Sequence, residues 1–263
     1  MGMRPIADMQ YADFLFECMD ELVNQAAKMR YMSGGKLKVP MVMRAPVGAT
    51  GRGSQHAQSM ERYFTGVPGI KVVAVSNAYD AKGLMLAAIR DPNPVIFMYH
   101  KALQGMGWLG TVKGSITDVP EGDYVVPIGK AKIVREGNDL TIVSLGAGVH
   151  QALDVAKTLA AEGVDAEVID LITIAPLDRE TILASVAKTG RLLVIDDDYL
   201  SYGIGAEVIA SVCENPDIRL KAPPRRIGYP DIPVPFTPVM EHYVLPNAEK
   251  LLEGAKLMME TTK

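Results

Sequence analysis

The stretch Leu140-Thr141-Ile142-Val143-Ser144-Leu145-Gly146-Ala147-Gly148-Val149-His150-Gln151-Ala152-Leu153-Asp154-Val155-Ala156-Lys157-Thr158-Leu159-Ala160-Ala161 decides the fold class. A short apolar run rich in β-branched residues gives way, across a small-residue turn, to apolar residues at three- and four-residue steps, which is a strand followed by a helix. The same alternation recurs downstream. Strands are predicted over 166–171, 192–196 and 225–228, and helices over 179–186, 206–212 and 248–259. A strand reached through a helix returns parallel to its predecessor, so these are βαβ units in a parallel sheet.

Upstream the pattern is looser but of the same class. Phe14, Leu15, Cys18, Met19, Leu22, Val23 and Ala26 recur at helical spacing across 11–30, and the Ser33-Gly34-Gly35 break ends that run. Strands are predicted over 39–43, 71–75 and 94–98, with a glycine-rich loop over 45–55 and a helix over 80–89. Residues 105–123 carry glycines, prolines and the sole tryptophan, Trp108, with no period, and 124–136 reads as an extended arm. The chain therefore divides into an α/β domain at 1–104, a linker and arm at 105–137, and a second α/β domain at 138–263.

Composition narrows the function classes. With 27 basic against 31 acidic side chains the net charge is -4, which argues against a nucleic-acid surface. No apolar run approaches the roughly 20 residues of a membrane span, and the N-terminus lacks the features of a signal peptide. Cys18 and Cys213 cannot make a disulfide framework and read as small buried hydrophobes, so a cytoplasmic location is expected.

Most local motifs read as structural. Gly146-Ala147-Gly148 opens a helix after a strand but lacks the third glycine of a dinucleotide fingerprint, and a tight turn is the better reading. Asp196-Asp197-Asp198 has no calcium-loop spacing and is expected to be a solvated end of a strand. None of the four histidines has zinc-pair spacing. His56 stands out, because it follows the loop Gly51-Arg52-Gly53-Ser54-Gln55 and is expected to begin a helix, the kind of place that carries catalytic groups.

Several segments carry a resemblance. Arg4-Pro5-Ile6, Asn24-Gln25-Ala26-Ala27-Lys28, Tyr31-Met32-Ser33-Gly34-Gly35, Gln55-His56-Ala57-Gln58-Ser59 and Pro68-Gly69-Ile70-Lys71-Val72-Val73 belong to it. Ala88-Ile89-Arg90-Asp91-Pro92-Asn93-Pro94-Val95, Lys188-Thr189-Gly190-Arg191 and Pro233-Val234-Pro235-Phe236 continue it. In order and over essentially the whole chain, the sequence resembles the beta subunit of thiamine-diphosphate-dependent 2-oxoacid dehydrogenases. That family includes the pyruvate, branched-chain 2-oxoacid and acetoin enzymes and is related to transketolases.

The resemblance implies a pyrimidine-binding, transketolase-like first domain and a transketolase-type C-terminal domain. It implies thiamine diphosphate and magnesium shared with an alpha subunit, a second beta subunit, and a lipoyl acyltransferase core that accepts the acyl product. Phe14 matches the aromatic residue that packs on the aminopyrimidine, and His56 matches the active-site histidine. The carbonyls of Ala88 and Ile89, with Asp91 and Asn93, match a potassium-binding loop. The resemblance also implies a glutamate upstream of Arg4-Pro5 that contacts the pyrimidine. The first domain is therefore expected to be truncated, and the chain alone inactive. A noncatalytic assembly or binding paralogue of the same fold is the competing expectation. At 99–104, Tyr-His-Lys-Ala-Leu-Gln departs from the family pattern.

Overall fold

The computed structural model describes residues 2–105 and 111–261, so Trp108 of the expected linker lies outside the described residues. Two five-stranded sheets form the body of the chain. The first has the order β1-β2-β4-β3-β8, from β1 (Ile6–Asp8), β2 (Val42–Val47), β3 (Lys71–Val75), β4 (Val95–His100) and β8 (Thr173–Ala175). The second has the order β10-β9-β6-β7-β5, from β5 (Lys132–Arg135), β6 (Leu140–Ser144), β7 (Ala166–Asp170), β9 (Leu192–Tyr199) and β10 (Arg225–Tyr229). Each sheet is parallel except for one antiparallel edge strand, β8 against β3 and β5 against β7. The all-parallel expectation is corrected to that extent.

Helices follow the strands as the sequence pattern predicts. They are α1 (Ala27–Met32), α2 (Arg62–Thr65), α3 (Ala78–Arg90), α4 (Gly148–Ala161), α5 (Arg179–Thr189), α6 (Ile204–Cys213), α7 (Pro238–Val244) and α8 (Ala248–Glu260). Their starts are chemically marked. The side chains of Asn77, Asp178 and Asn247 accept from the backbone N–H three residues on, at 2.9, 3.3 and 3.0 Å, and so cap α3, α5 and α8. Gly190, at φ 72°, ends α5 in a left-handed turn that glycine adopts without strain. In the Gly146-Ala147-Gly148 turn, Gly146 has φ 52° and a Cβ on Gly148 would lie 2.4 Å from Ser144 Oγ. The turn itself thus demands both glycines.

Four expectations change. The run 11–30 is a 3-10 segment (Ala12–Cys18), then a π segment (Asp20–Ala26), and becomes α-helical at α1. No helix begins at His56: residues 54–56 form a turn and α2 starts at Arg62. Cys213 is exposed rather than buried. Asp196, Asp197 and Asp198 lie inside β9, and Asp196 and Asp198 are buried rather than solvated.

Strand β8 belongs by sequence to the second α/β unit but pairs with β3 of the first sheet. One apolar core accordingly runs from Leu15, Met43 and Val72 to Leu171, Ile174 and Val194. At the root of this crossing Asp170 is fully buried and accepts from Ser76 Oγ, and from Ile172 N at 3.1 Å. His150 Nε2 donates to the Ser76 carbonyl at 2.7 Å. Residues 111–131 wrap back over the start of α3, where Tyr124 stacks on Tyr79 with ring centroids 4.6 Å apart.

Burial pushes the Asp170 carboxyl up to about 7. The folded protein holds this proton more tightly than the unfolded chain does. The resulting stabilisation is complete below the unfolded value of 3.8 and is lost as pH rises through about 7. The midpoint of thermal unfolding should therefore fall by several degrees from pH 5 to pH 8, and Asp170→Asn should shrink that fall. A midpoint flat across this range, or an unaltered slope in the variant, contradicts the assignment.

Candidate active site

The carboxyl ends of β2 and β4 lie side by side, with Val47 paired to His100. The loop that follows β2 and the residues that follow β4 therefore emerge together, at the end of a parallel sheet where ligand sites form. The 3-10 segment adds Asp13 and Phe14 to the same place, and Tyr11 stands immediately before it. Phe14 and His56 meet edge to face with ring centroids 5.3 Å apart, and Tyr11 also meets His56 edge to face, at 5.7 Å. All three rings are half-buried. The two residues named by the sequence, Phe14 and His56, are thus brought together by elements that are separate in the chain.

The loop bearing His56 is held at both ends and from both sheets. Asp13 Oδ1 accepts from Gln58 N and Gln58 Nε2, each at 3.1 Å, and Gly48 N donates to the Gln58 carbonyl at 3.1 Å. From the second unit, Glu241 Oε2 accepts from Gly51 N at 2.7 Å and the Val234 carbonyl accepts from Ser54 Oγ at 3.0 Å. Ala57 packs in a small buried cluster with Tyr229 and Val234. Burial raises the Glu241 carboxyl, and the Gly51 amide and the Lys101 charge pull it back only in part.

Behind this loop lies a buried polar junction that the sequence reading passed over. His100 Nδ1 accepts from Ala102 N at 3.1 Å, which leaves the Nε2–H to donate to Asp197 Oδ2 at 2.8 Å. Burial pushes the Asp197 carboxyl up, but its contact with His100, with help from Ser59, more than reverses this and holds it below the usual carboxylate range. Arg62 pairs with buried Asp198 at 2.9 Å. Burial nonetheless pushes Asp198 up to about 7. Burial and the charges of Asp197, Asp196 and Asp198 raise the Glu61 carboxyl well above the usual carboxylate range, and burial with its two aspartate neighbours does the same to Asp196.

The candidate potassium loop lies with a different set of residues. Arg4 donates to the carbonyls of Ile89 and Asp91 at 2.8 and 3.0 Å, and Lys71 pairs with the Asp91 carboxylate. Asp91 Oδ1 accepts from Asn93 N and Asn93 Nδ2, both at 2.8 Å, Asn93 Oδ1 accepts from Arg30 at 2.7 Å, and the Ala88 carbonyl accepts from Asp91 N at 3.2 Å. These oxygens are already served by N–H donors, among them three cationic side chains, Arg4, Arg30 and Lys71. Among the described residues no group of three or more His, Cys, Asp or Glu stands together as ligands for a metal ion, so the chain as described offers no such set to magnesium.

Comparison with known proteins agrees with the architecture. The family model for the transketolase pyrimidine-binding domain matches residues 1–105, and that for the transketolase C-terminal domain matches residues 129–251. The acetoin:2,6-dichlorophenolindophenol oxidoreductase subunit beta of Cupriavidus necator is 46% identical over 263 residues, 100% of this chain and 75% of that protein. The 2-oxoisovalerate dehydrogenase subunit beta of Bacillus subtilis is 43% identical over 98% of this chain and 77% of its own length. The pyruvate dehydrogenase E1 component subunit beta of Rhizobium meliloti is 41% identical over 97% of this chain and 54% of its own length. Among solved structures, a split gene transketolase described as an inactive beta4 tetramer superposes with a TM-score of 0.78 at 22% identity. It covers 100% of this chain and 78% of that one, and it supports the fold alone.

The loop geometry yields a direct test. Gly48 has φ 89°, and a Cβ there would lie 1.9 Å from His100 Nε2. Gly48→Ala should cost about 1–3 kcal/mol from backbone strain alone. It should also displace His100 from Asp197. Denaturant unfolding measures the first effect, and an unfolding midpoint equal to that of the parent refutes it.

Sheet order, the paired aromatic site and matches along the whole length converge: the chain belongs to the family of 2-oxoacid and acetoin dehydrogenase beta subunits, built from transketolase pyrimidine-binding and C-terminal domains.

Proposed function

We propose that this chain is the beta subunit of the decarboxylating component of a 2-oxoacid or acetoin dehydrogenase, handing the acyl product to lipoyl groups. The observation that carries the reading is the half-buried pair of Phe14 and His56, 5.3 Å apart at the carboxyl end of a pyrimidine-domain sheet. A flat, partly exposed aromatic face suits the aminopyrimidine ring of thiamine diphosphate, since offset stacking adds about 0.5–1.5 kcal/mol beyond area burial. When bound, that cofactor supplies a carbon nucleophile and an electron sink for loss of carbon dioxide.

The chain's own residues divide the remaining work. Phe14 orients the ring. His56, an imidazole able to take up and release a proton, carries protons at the reacting centre and delivers one to the lipoyl sulfur released when the dithiolane bond opens. Diphosphate and magnesium fall to the alpha subunit in this reading. A second beta subunit and a lipoyl acyltransferase core complete the assembly, and the chain alone is inactive. Its two cysteines suit a reducing, cytoplasmic compartment.

The test uses the enzyme assembled with its alpha subunit and a panel of 2-oxo acids and acetoin. His56→Ala should lower acyl transfer to lipoamide by about 10²-fold or more, the scale of lost acid–base assistance. Reduction of the dye 2,6-dichlorophenolindophenol, which needs no acyl transfer, should suffer less. Equal rates of lipoamide acylation in variant and parent would sink the role of His56.

Potassium at residues 88–93 belongs to the same reading, and there the ion must displace the Arg4 guanidinium from the Ile89 and Asp91 carbonyls. Thermal midpoints in potassium chloride and choline chloride at equal ionic strength decide it. A higher midpoint with potassium supports the site, and equal midpoints remove it.

A further inference from the structure

Lys101 is wholly buried beside the candidate site, yet the chemistry assigned above gives it no work. Its Nζ donates to the main-chain carbonyl of His56 at 2.5 Å. The same ammonium stands 4.7 Å from the centroid of Tyr11, a ring that, like Phe14, meets the His56 imidazole edge to face. One side chain therefore grips both the backbone of His56 and the ring against which its imidazole rests. A buried ammonium is tolerated where carboxylates surround it. Here Asp13 comes from the 3-10 segment, Asp197 from β9 and Glu241 from α7, with the Arg52 charge opposing them.

Two of these three carboxylates come from the second unit, and each has a further contact with the site. Asp197 takes the Nε2–H of His100, the residue next to Lys101, and Glu241 takes the Gly51 amide in the His56 loop. Lys101 is thus the cation on which the charges of both units converge at His56. Burial, only partly offset by these carboxylates, pushes the Lys101 ammonium down to about 8.

We infer that Lys101 is a positioning residue for His56: it clamps the His56 main chain and the Tyr11 ring so that the second unit fixes where the imidazole stands. The inference rests on the reading of His56 as the acyl-transfer residue. Its test separates the two.

In the enzyme assembled with its alpha subunit, Lys101→Met is compared with the parent for the rate at which diethyl pyrocarbonate modifies His56. Modification is read by mass spectrometry against exposed His242 in the same chain. The His56 rate should rise toward that of His242, which itself stays unchanged. Acylation of lipoamide should fall by roughly 10–100-fold, the scale expected when a reacting group is misplaced by an ångström or so. In the double variant with His56→Ala the loss should be no greater than in His56→Ala alone, because Lys101 acts through His56.

Unchanged His56 reactivity in Lys101→Met, or losses that multiply in the double variant, overturns the inference. Should Lys101→Met fail to assemble, Lys101→Gln, a shorter neutral donor, is judged by the same two criteria. An effectless His56→Ala would remove the acyl-transfer reading, while the pyrocarbonate comparison still decides the hold of Lys101 on His56.

Discussion

Strand β8 pairing antiparallel with β3 is the interaction on which the rest of the structure depends. It makes the second α/β unit supply an edge of the first sheet, and Ile174 carries the apolar core across with it. Two units joined by a polar linker alone would be free to reorient, as domains do by default unless their interface is large and apolar. Here the register Val72↔Ala175 and Val73↔Thr173 sets the orientation, and the site inherits it. Asp197 of β9 can meet His100, and Glu241 of α7 can meet Gly51, only because the sheets are locked in this relation.

That lock has a chemical consequence. Bringing β9 against the loop before α2 buries Glu61 with Asp196 and Asp198, sets Arg62 against Asp198, and lets the His100 Nε2–H donate to Asp197. Taking an ionised carboxylate out of water is so unfavourable that a proton is bound instead. Among the described residues, Glu61 Oε2 and Asp198 Oδ2 find no hydrogen-bond partner in this buried junction. The junction is therefore more comfortable in mild acid than in base, the same sense as Asp170 at the root of the β8 crossing.

Much of this was legible in the sequence, and the misses share a cause. The βαβ rhythm from residue 140 onward gave strands and helices to within a few residues, because both periods are local. Phe14 and His56 were visible through family resemblance and a glycine-rich loop. What stayed hidden came from contacts between the units. Strand β8 has three residues ahead of Pro176, too few to display a period, and its partner belongs to the other sheet. The three aspartates looked solvated because charge was read without the neighbour that covers it. Strand β2 runs past the predicted end at 43 and through Pro46, a residue poorly suited to sheet pairing. Yet Pro46 pairs with β4 alone, since β1 stops opposite Arg44 and leaves open the flank where a proline's missing N–H is harmless.

His100 and Lys101 sit in the segment that departs from the family pattern. In the fold, β4 delivers them beside the His56 loop because Val47 and His100 share a register position. Successive side chains at the end of a strand point to opposite faces, so one reaches β9 while the other turns under His56. A change of sequence at this point therefore acts first on how the two units hold the loop that carries His56.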